Sequence, residues 1–263
     1  MKGVSFMRGT ILILILTLTL VLAAGCVDQV GDILHREEAV QVFEDNIEVT
    51  MFSLDFQTYN GDIEVNLWDK SSYRVEVVKW AGGSSSEEAQ RRVEALQVAV
   101  SVSTDEPPTL SVDVPFGNHT GADITAYVPA VPFVTVSLAT INGHIAVSDM
   151  TAETAFLETT NGSIDLTCQG GDYTLRTTNG NVTVNTGDKG EFDLTTSNGR
   201  IEVTTQGPFE FDLETSIGFI TVEADTVTYT TDSTYRKKGY TSPNPTIIIR
   251  ASATNGYIEM TQE

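Results

Sequence analysis

Apolar and polar residues alternate along most of this chain, and an Asn-Gly pair interrupts the alternation at a near-constant interval. The pattern reads Thr140-Ile141-Asn142-Gly143-His144-Ile145-Ala146-Val147. It returns at Thr159-Thr160-Asn161-Gly162, Thr177-Thr178-Asn179-Gly180 and Thr196-Ser197-Asn198-Gly199. It appears again as Thr215-Ser216-Ile217-Gly218 and closes the chain around Asn255-Gly256. The glycines at 143, 162, 180, 199, 218 and 256 follow a period of about 19 residues, the last step spanning two periods. A fixed period of this length marks a repeat architecture. A separate copy, Thr58-Tyr59-Asn60-Gly61, lies far upstream.

Alignment on the turn produces columns. Four residues before Asn stand Phe56, Leu138, Leu157, Leu175, Leu194, Leu213 and Ala251; two after Gly stand Ile63, Ile145, Ile164, Val182, Ile201, Ile220 and Ile258. Such period-2 spacing predicts strands with one buried face. The residue two before Asn is Thr in six copies and Ala253 in the seventh, on the buried side, which predicts a ladder of hydroxyls bonded along the stack or to backbone. Asn-Gly suits positive φ at tight turns. The same local pattern fits hairpins in a sandwich or corners of stacked coils. Constant period with in-register columns favours the stack: an all-β, single-stranded β-helix or β-solenoid with coils of about 19 residues and one short helix in its N-terminal part.

The rest of the chain reads around this repeat. Residues 1–25 form a signal peptide: Lys2 and Arg8, an apolar run from Ile11 to Leu22, then Ala23-Ala24-Gly25. Leu22-Ala23-Ala24-Gly25-Cys26 resembles a lipobox, making Cys26 the expected lipid attachment site. Residues 26–45 read as a polar tether, and 46–263 as a single solenoid domain. Within it, 46–135 is irregular, 136–263 carries the regular Asn-Gly coils, and 229–246 is an insertion that replaces or decorates one coil. Ile47–Met51 is the first expected strand. Ser84 or Ser85 with Glu87 or Glu88 forms a capping box for a helix through Leu96.

Charge narrows the function. The 263 residues carry a formal net charge of −21, and removal of residues 1–25 takes away Lys2 and Arg8 but no acidic residue. A surface of this sign repels phosphate backbones, so nucleic acid is excluded as a partner. If Cys26 is acylated, Cys168 is the remaining thiol and no intrachain disulfide can form. Cys168 reads as an outward or turn residue. His35, His119 and His144 have no metal-ligand neighbours at useful spacing, and there is no nucleophile elbow, phosphate loop or zinc helix. No catalytic residue, metal site or cofactor is expected. The outward residues beside the turns, Asp62, His144, Ser163, Asn181, Arg200, Phe219 and Tyr257, show no convergence of acids and bases. Tyr235, Arg236, Lys237, Lys238 and Tyr240 form a basic-aromatic cluster on an acidic molecule and are the expected partner contact. Asn118, Asn161 and Asn181 open sequons.

The Thr-x-Asn-Gly-x-Ile-x-Val motif at this period, with the strand Ala122-Asp123-Ile124-Thr125-Ala126-Tyr127-Val128-Pro129 before it, resembles the putative-adhesin family of prokaryotic exported proteins, a domain of unknown function related to the GIN head domains. Ile217 departs from the motif, as does the 229–246 insertion. The resemblance implies a β-solenoid at the cell surface and no established activity. The expected function is a non-enzymatic, extracytoplasmic lipoprotein, held to the membrane by its lipid anchor and contacting a surface polymer or protein. A ligand- or envelope-stress-sensing accessory is the second reading, and a polysaccharide-acting β-helix enzyme the third.

Overall fold

The computed structural model of the chain describes residues 35–263. Cys26, the signal segment and residues 26–34 of the expected tether lie outside the described residues. The chain opens with β1 (His35–Asn46), β2 (Phe52–Gln57), β3 (Ile63–Trp68), β4 (Ser72–Gly83), α1 (Ser86–Ala95), β5 (Ala99–Val102), β6 (Thr109–Asp113) and β7 (Thr120–Pro129). The regular part follows as β8 (Phe133–Ala139), β9 (Ile145–Met150), β10 (Ala152–Asn161), β11 (Ile164–Cys168), β12 (Asp172–Asn179), β13 (Val182–Thr186), β14 (Gly190–Asn198), β15 (Ile201–Thr205), β16 (Phe209–Ile217) and β17 (Ile220–Glu223). It ends with β18 (Thr228–Asp232), β19 (Arg236–Tyr240), β20 (Ile247–Asn255) and β21 (Ile258–Gln262).

The strands form two facing sheets. One runs β1-β4-β7-β3-β9-β11-β13-β15-β21-β17, and the other β18-β19-β16-β20-β14-β12-β10-β8-β2-β6-β5. β10 pairs in parallel with β8 and β12, and β11 with β9 and β13. Each Asn-Gly therefore carries the chain from one sheet to the other, which is the corner of a coil and not a hairpin. The fold is a β-solenoid. Its columns are the expected ones: Leu157, Leu175 and Leu194 lie in register, as do Ile164, Val182 and Ile201, all buried between the sheets. Two residues along the strand, Tyr173 and Phe192 form a neighbouring column, as stacked rings 5.3 Å apart.

The corners explain the motif. Thr140, Thr159, Thr177 and Thr196 donate their hydroxyls to the carbonyls of Gly61, Gly143, Gly162 and Gly180 in the neighbouring coil. The glycines are needed for close approach more than for positive φ. A Cβ on Gly143, Gly162, Gly180 or Gly199 would stand 1.8–1.9 Å from the carbonyl oxygen of the preceding corner, whereas a left-handed φ occurs at Gly61 and Gly218 among the corner glycines. Outside the glycines, Asn142, Asn161, Asn179, Asn198 and Asn255 each donate Nδ2 to the Oδ1 of the previous Asn, beginning at Asn60, at 2.7–2.9 Å. Asn60 itself donates to the Thr120 carbonyl.

Several expectations are corrected. Residues 35–45 are not tether: β1 pairs antiparallel with β4 along its whole length, from His35↔Gly83 to Asn46↔Ser72. The Ile47–Met51 strand is absent, because that stretch carries the chain from β1 to β2, with Ile47 and Val49 packed against the core. The irregular segment 46–135 contains two coils, β2–β3 and β6–β7, and the earlier one lies between the later one and β8–β9. Between them, β4 and α1 cover this pole. The expected cap is present: Ser85 caps α1 by accepting from Glu88 N–H, while the Glu88 carboxylate accepts from Ser84 N–H. Cys168 is not outward; it ends β11 at 1% exposure, and burial pushes its thiol pKa up, so it stays protonated.

The largest departure is in coil order. The C-terminal coil, β20–β21, does not cap the stack. It lies between β14–β15 and β16–β17. Charge supplies a reason. Sequential stacking would set Asp193 beside Asp212 and Glu191 beside Glu210. The inserted coil places Arg250 between the two aspartates and Ile248 between the two glutamates. Arg250 also bonds the Glu191 carboxylate. Like charges directly opposed across strands cost roughly 0.2–1 kcal/mol each.

Candidate functional site at the C-terminal pole

Three features meet where β16–β17 ends the solenoid. The first is the hairpin β18–β19, whose second strand pairs antiparallel with β16. The insertion expected to replace or decorate one coil is thus an extension of one sheet. Gly239 permits this contact, since a Cβ there would meet the Thr228 carbonyl at 2.3 Å and the Phe211 ring at 2.9 Å. Tyr229 closes the core by standing edge-on to buried Phe211, with ring centroids 5.9 Å apart.

The expected contact residues all lie on or beside β19, but their charge is largely matched. Arg236 and Lys238 both face Asp212, at 3.3 and 3.5 Å. Lys237 bonds Asp232 and lies over the Tyr229 ring, 5.0 Å from its centroid. Tyr235 is exposed and Tyr240 half-buried. Of these groups Asp212 and Arg236, together with Asp193, Glu214 and Arg250, border a shallow depression on the outer face of the sheet. The structure therefore brings acids and bases together here, a convergence that the linear order of turns did not show. The group is an ion-pair network on an open face, where exposed pairs contribute roughly 0–1 kcal/mol.

The second feature is a stack at the Asn-Gly corner. Because β21 lies between β15 and β17, the outward residues follow the order Arg200, Tyr257, Phe219. The Arg200 guanidinium lies 4.2 Å from the Tyr257 centroid, and Tyr257 stacks on Phe219 at 4.9 Å with planes 5° apart. Phe219 is 54% exposed and neighbouring Ile217 is 67% exposed. Ile217 occupies the Asn position, so it ends the amide ladder at the terminal coil. That substitution was the sequence signal for the true end of the stack. The third feature is β17 itself, the last strand of its sheet, with no strand beyond it among the described residues.

The other sequence-predicted positions lie elsewhere. Asn118 is exposed beside His119, whose φ is 57°. Asn161 Nδ2 is committed to Asn142, so a glycan there would cut the ladder. Asn181 Oδ1 accepts from Arg200 N–H. His144 pairs with Asp165 at 3.3 Å on the outer face. Among the described residues no three His, Cys, Asp or Glu side chains gather as metal ligands would, and no helix is long and apolar enough to cross a membrane.

A family model described as Toastrack DUF4097 matches residues 45–260. No curated protein sequence matches the chain significantly. The crystal structure of a putative cell adhesion protein from Clostridium sporogenes is similar at 13% identity and a TM-score of 0.47, covering 87% of this chain and 100% of that one. A putative adhesin from Bacteroides fragilis is similar at 12% identity and a TM-score of 0.33, over 84% and 96% of the two chains. A putative adhesin from Parabacteroides distasonis is similar at 10% identity and a TM-score of 0.26, over the same shares.

Proposed function

The chain belongs to the Toastrack DUF4097 family, a domain of unknown function, and from its own geometry we propose a lipid-anchored, non-enzymatic surface protein that holds a contact surface away from the membrane. The observation that carries this reading is the separation of its two poles. β1 and β17 are opposite ends of one ten-stranded sheet, about 43 Å apart at ~4.8 Å per strand. Eight residues separate Cys26 from His35, a covalent reach of at most about 30 Å. A lipid on Cys26 would thus keep the β1 pole near the membrane. Exposed Ile217, Phe219 and Tyr235 lie at the other pole.

The anchor is tested by Cys26→Ser. The variant should leave the membrane fraction or accumulate unprocessed; one that fractionates and migrates like wild type refutes the anchor. The contact role is tested by attachment of cells bearing Tyr235→Ala or the combined neutralisation of Arg236, Lys237 and Lys238. Loss of the exposed ring should weaken attachment more than loss of the three cations, because carboxylates already face those cations. Unchanged attachment in both variants would remove adhesion from this pole.

A further inference from the structure

We propose that the bare edge of β17 binds an extended, basic segment of another protein as an added strand. This rests on the reading of the far pole as the contact surface and names the partner it takes. The last coil is covered on one sheet and open on the other: hairpin β18–β19 flanks β16, while nothing pairs with the outer edge of β17 among the described residues. Ile258 N–H donates to the Phe219 carbonyl. By the alternation of a parallel ladder, the N–H and C=O groups of Ile220 and Val222 then point away from β21. Such a row is a template for a further strand. The long edge strand β1 instead carries Arg36, Glu37, Glu38, Glu44 and Asp45, charges of the kind that deter added strands. Glu223 is the single charge of β17.

Side chains beside this edge suit an occupant of defined chemistry. Phe219 gives one face to Tyr257, and an apolar or aromatic side chain on an added strand would continue that stack over the other face. Ile217 adds exposed apolar surface next to it. Glu223 and Asp225 are exposed, and Glu259 flanks Thr221 in register. The neighbouring cations are engaged: Arg200 with Glu202 and Tyr257, Arg236 and Lys238 with Asp212, Lys237 with Asp232. A second copy would bring the same carboxylates to the contact. A strand bearing lysine or arginine complements them.

The test uses full-length protein in detergent micelles and a labelled eight-residue probe of alternating lysine and valine with one central phenylalanine. Fluorescence anisotropy should show saturable binding to wild type and none of a glutamate-for-lysine probe. A probe N-methylated at alternate residues keeps its charges but loses strand pairing and should bind about tenfold more weakly or worse, as loss of one to two hydrogen bonds requires. Phe219→Ala should weaken binding roughly fivefold, consistent with a lost ring contact. Hydrogen exchange on wild type should show the Val222 amide slowed by the probe, a readout that needs no variant to fold. Equal binding of the N-methylated probe, an unprotected Val222 amide or no binding at all would overturn the proposal. Self-association abolished by Val222→Pro would assign the edge to a second copy instead. None of these outcomes depends on Cys26, so the edge can fail while the anchored display stands.

Discussion

At Gly180 the absence of a methyl group decides how closely two coils approach. A Cβ there would lie 1.9 Å from the Gly162 carbonyl oxygen, the same oxygen that accepts from Thr177 at 2.8 Å. Gly and Thr thus act on one atom: the first allows the approach and the second satisfies the acceptor. We expect Gly180→Ala to cost about 1–3 kcal/mol, as overpacking does, read from the midpoint of urea unfolding. Asp123 offers the complementary case of a charge held at a cost. Burial raises its carboxyl pKa, against the N–H it accepts from Asp62, and Asp62 and Glu38 raise it further while Arg36 opposes them. The folded protein keeps this proton to higher pH than the unfolded chain. The group's contribution to stability therefore falls as pH rises from the ordinary carboxylate range through its raised folded value. Asp123→Asn retains an oxygen for Asp62 N–H and removes the charge. It should match wild type at acid pH and melt higher near neutral pH. A lower melting temperature near neutral pH would contradict the assignment.

Among elements, the inserted coil is the informative one. Inward, β20 carries Ala251 where the other coils hold Leu or Phe and Ala253 where they hold Thr, and this face does not separate the acidic positions of β14 and β16. Its outward face does, because Arg250 stands between Asp193 and Asp212 and bonds Glu191. Arg250→Glu restores the acidic column that the insertion relieves. We expect a loss of roughly 1 kcal/mol, larger at low ionic strength and reduced by salt, measured as the salt dependence of thermal unfolding. A salt-independent change would mean that the Arg250 stem, not its charge, holds the coil.

For the whole molecule, the C-terminal residues are structurally internal. In an ordinary solenoid, loss of the last coil trims one end and leaves the rest stacked. Here removal of residues 247–263 would open a gap between β14–β15 and β16–β17, orphaning β16, β17 and the hairpin together. We expect the shortened chain to lose cooperative unfolding and become protease-sensitive from about residue 206 onward, whereas a simple end coil would leave β16–β17 protected. Circular dichroism and limited proteolysis distinguish the two.

The repeat, the buried columns on either side of the turn, the threonine ladder and the helix cap were legible because each depends on neighbours a fixed number of residues apart. Period 2 sets which face is buried, and a period of about 19 sets the coil. Ile217 was legible as a departure from the motif, while the amide ladder that it ends emerged only from the folded chain. Coil order was not legible. Apart from Ala251 and Ala253 the coils present similar inward residues, so one-dimensional pattern does not by itself choose a stacking order. What separates them is contact between outward side chains distant in the sequence: Arg250 with Asp193 and Asp212, Arg200 with Tyr257, Tyr257 with Phe219. The same is true of the β17 edge, which is bare because the final coil went inside the stack and the hairpin covered the other sheet. The sequence determined the coil; long-range charge and stacking contacts, present only in the folded chain, decided which coil became the end.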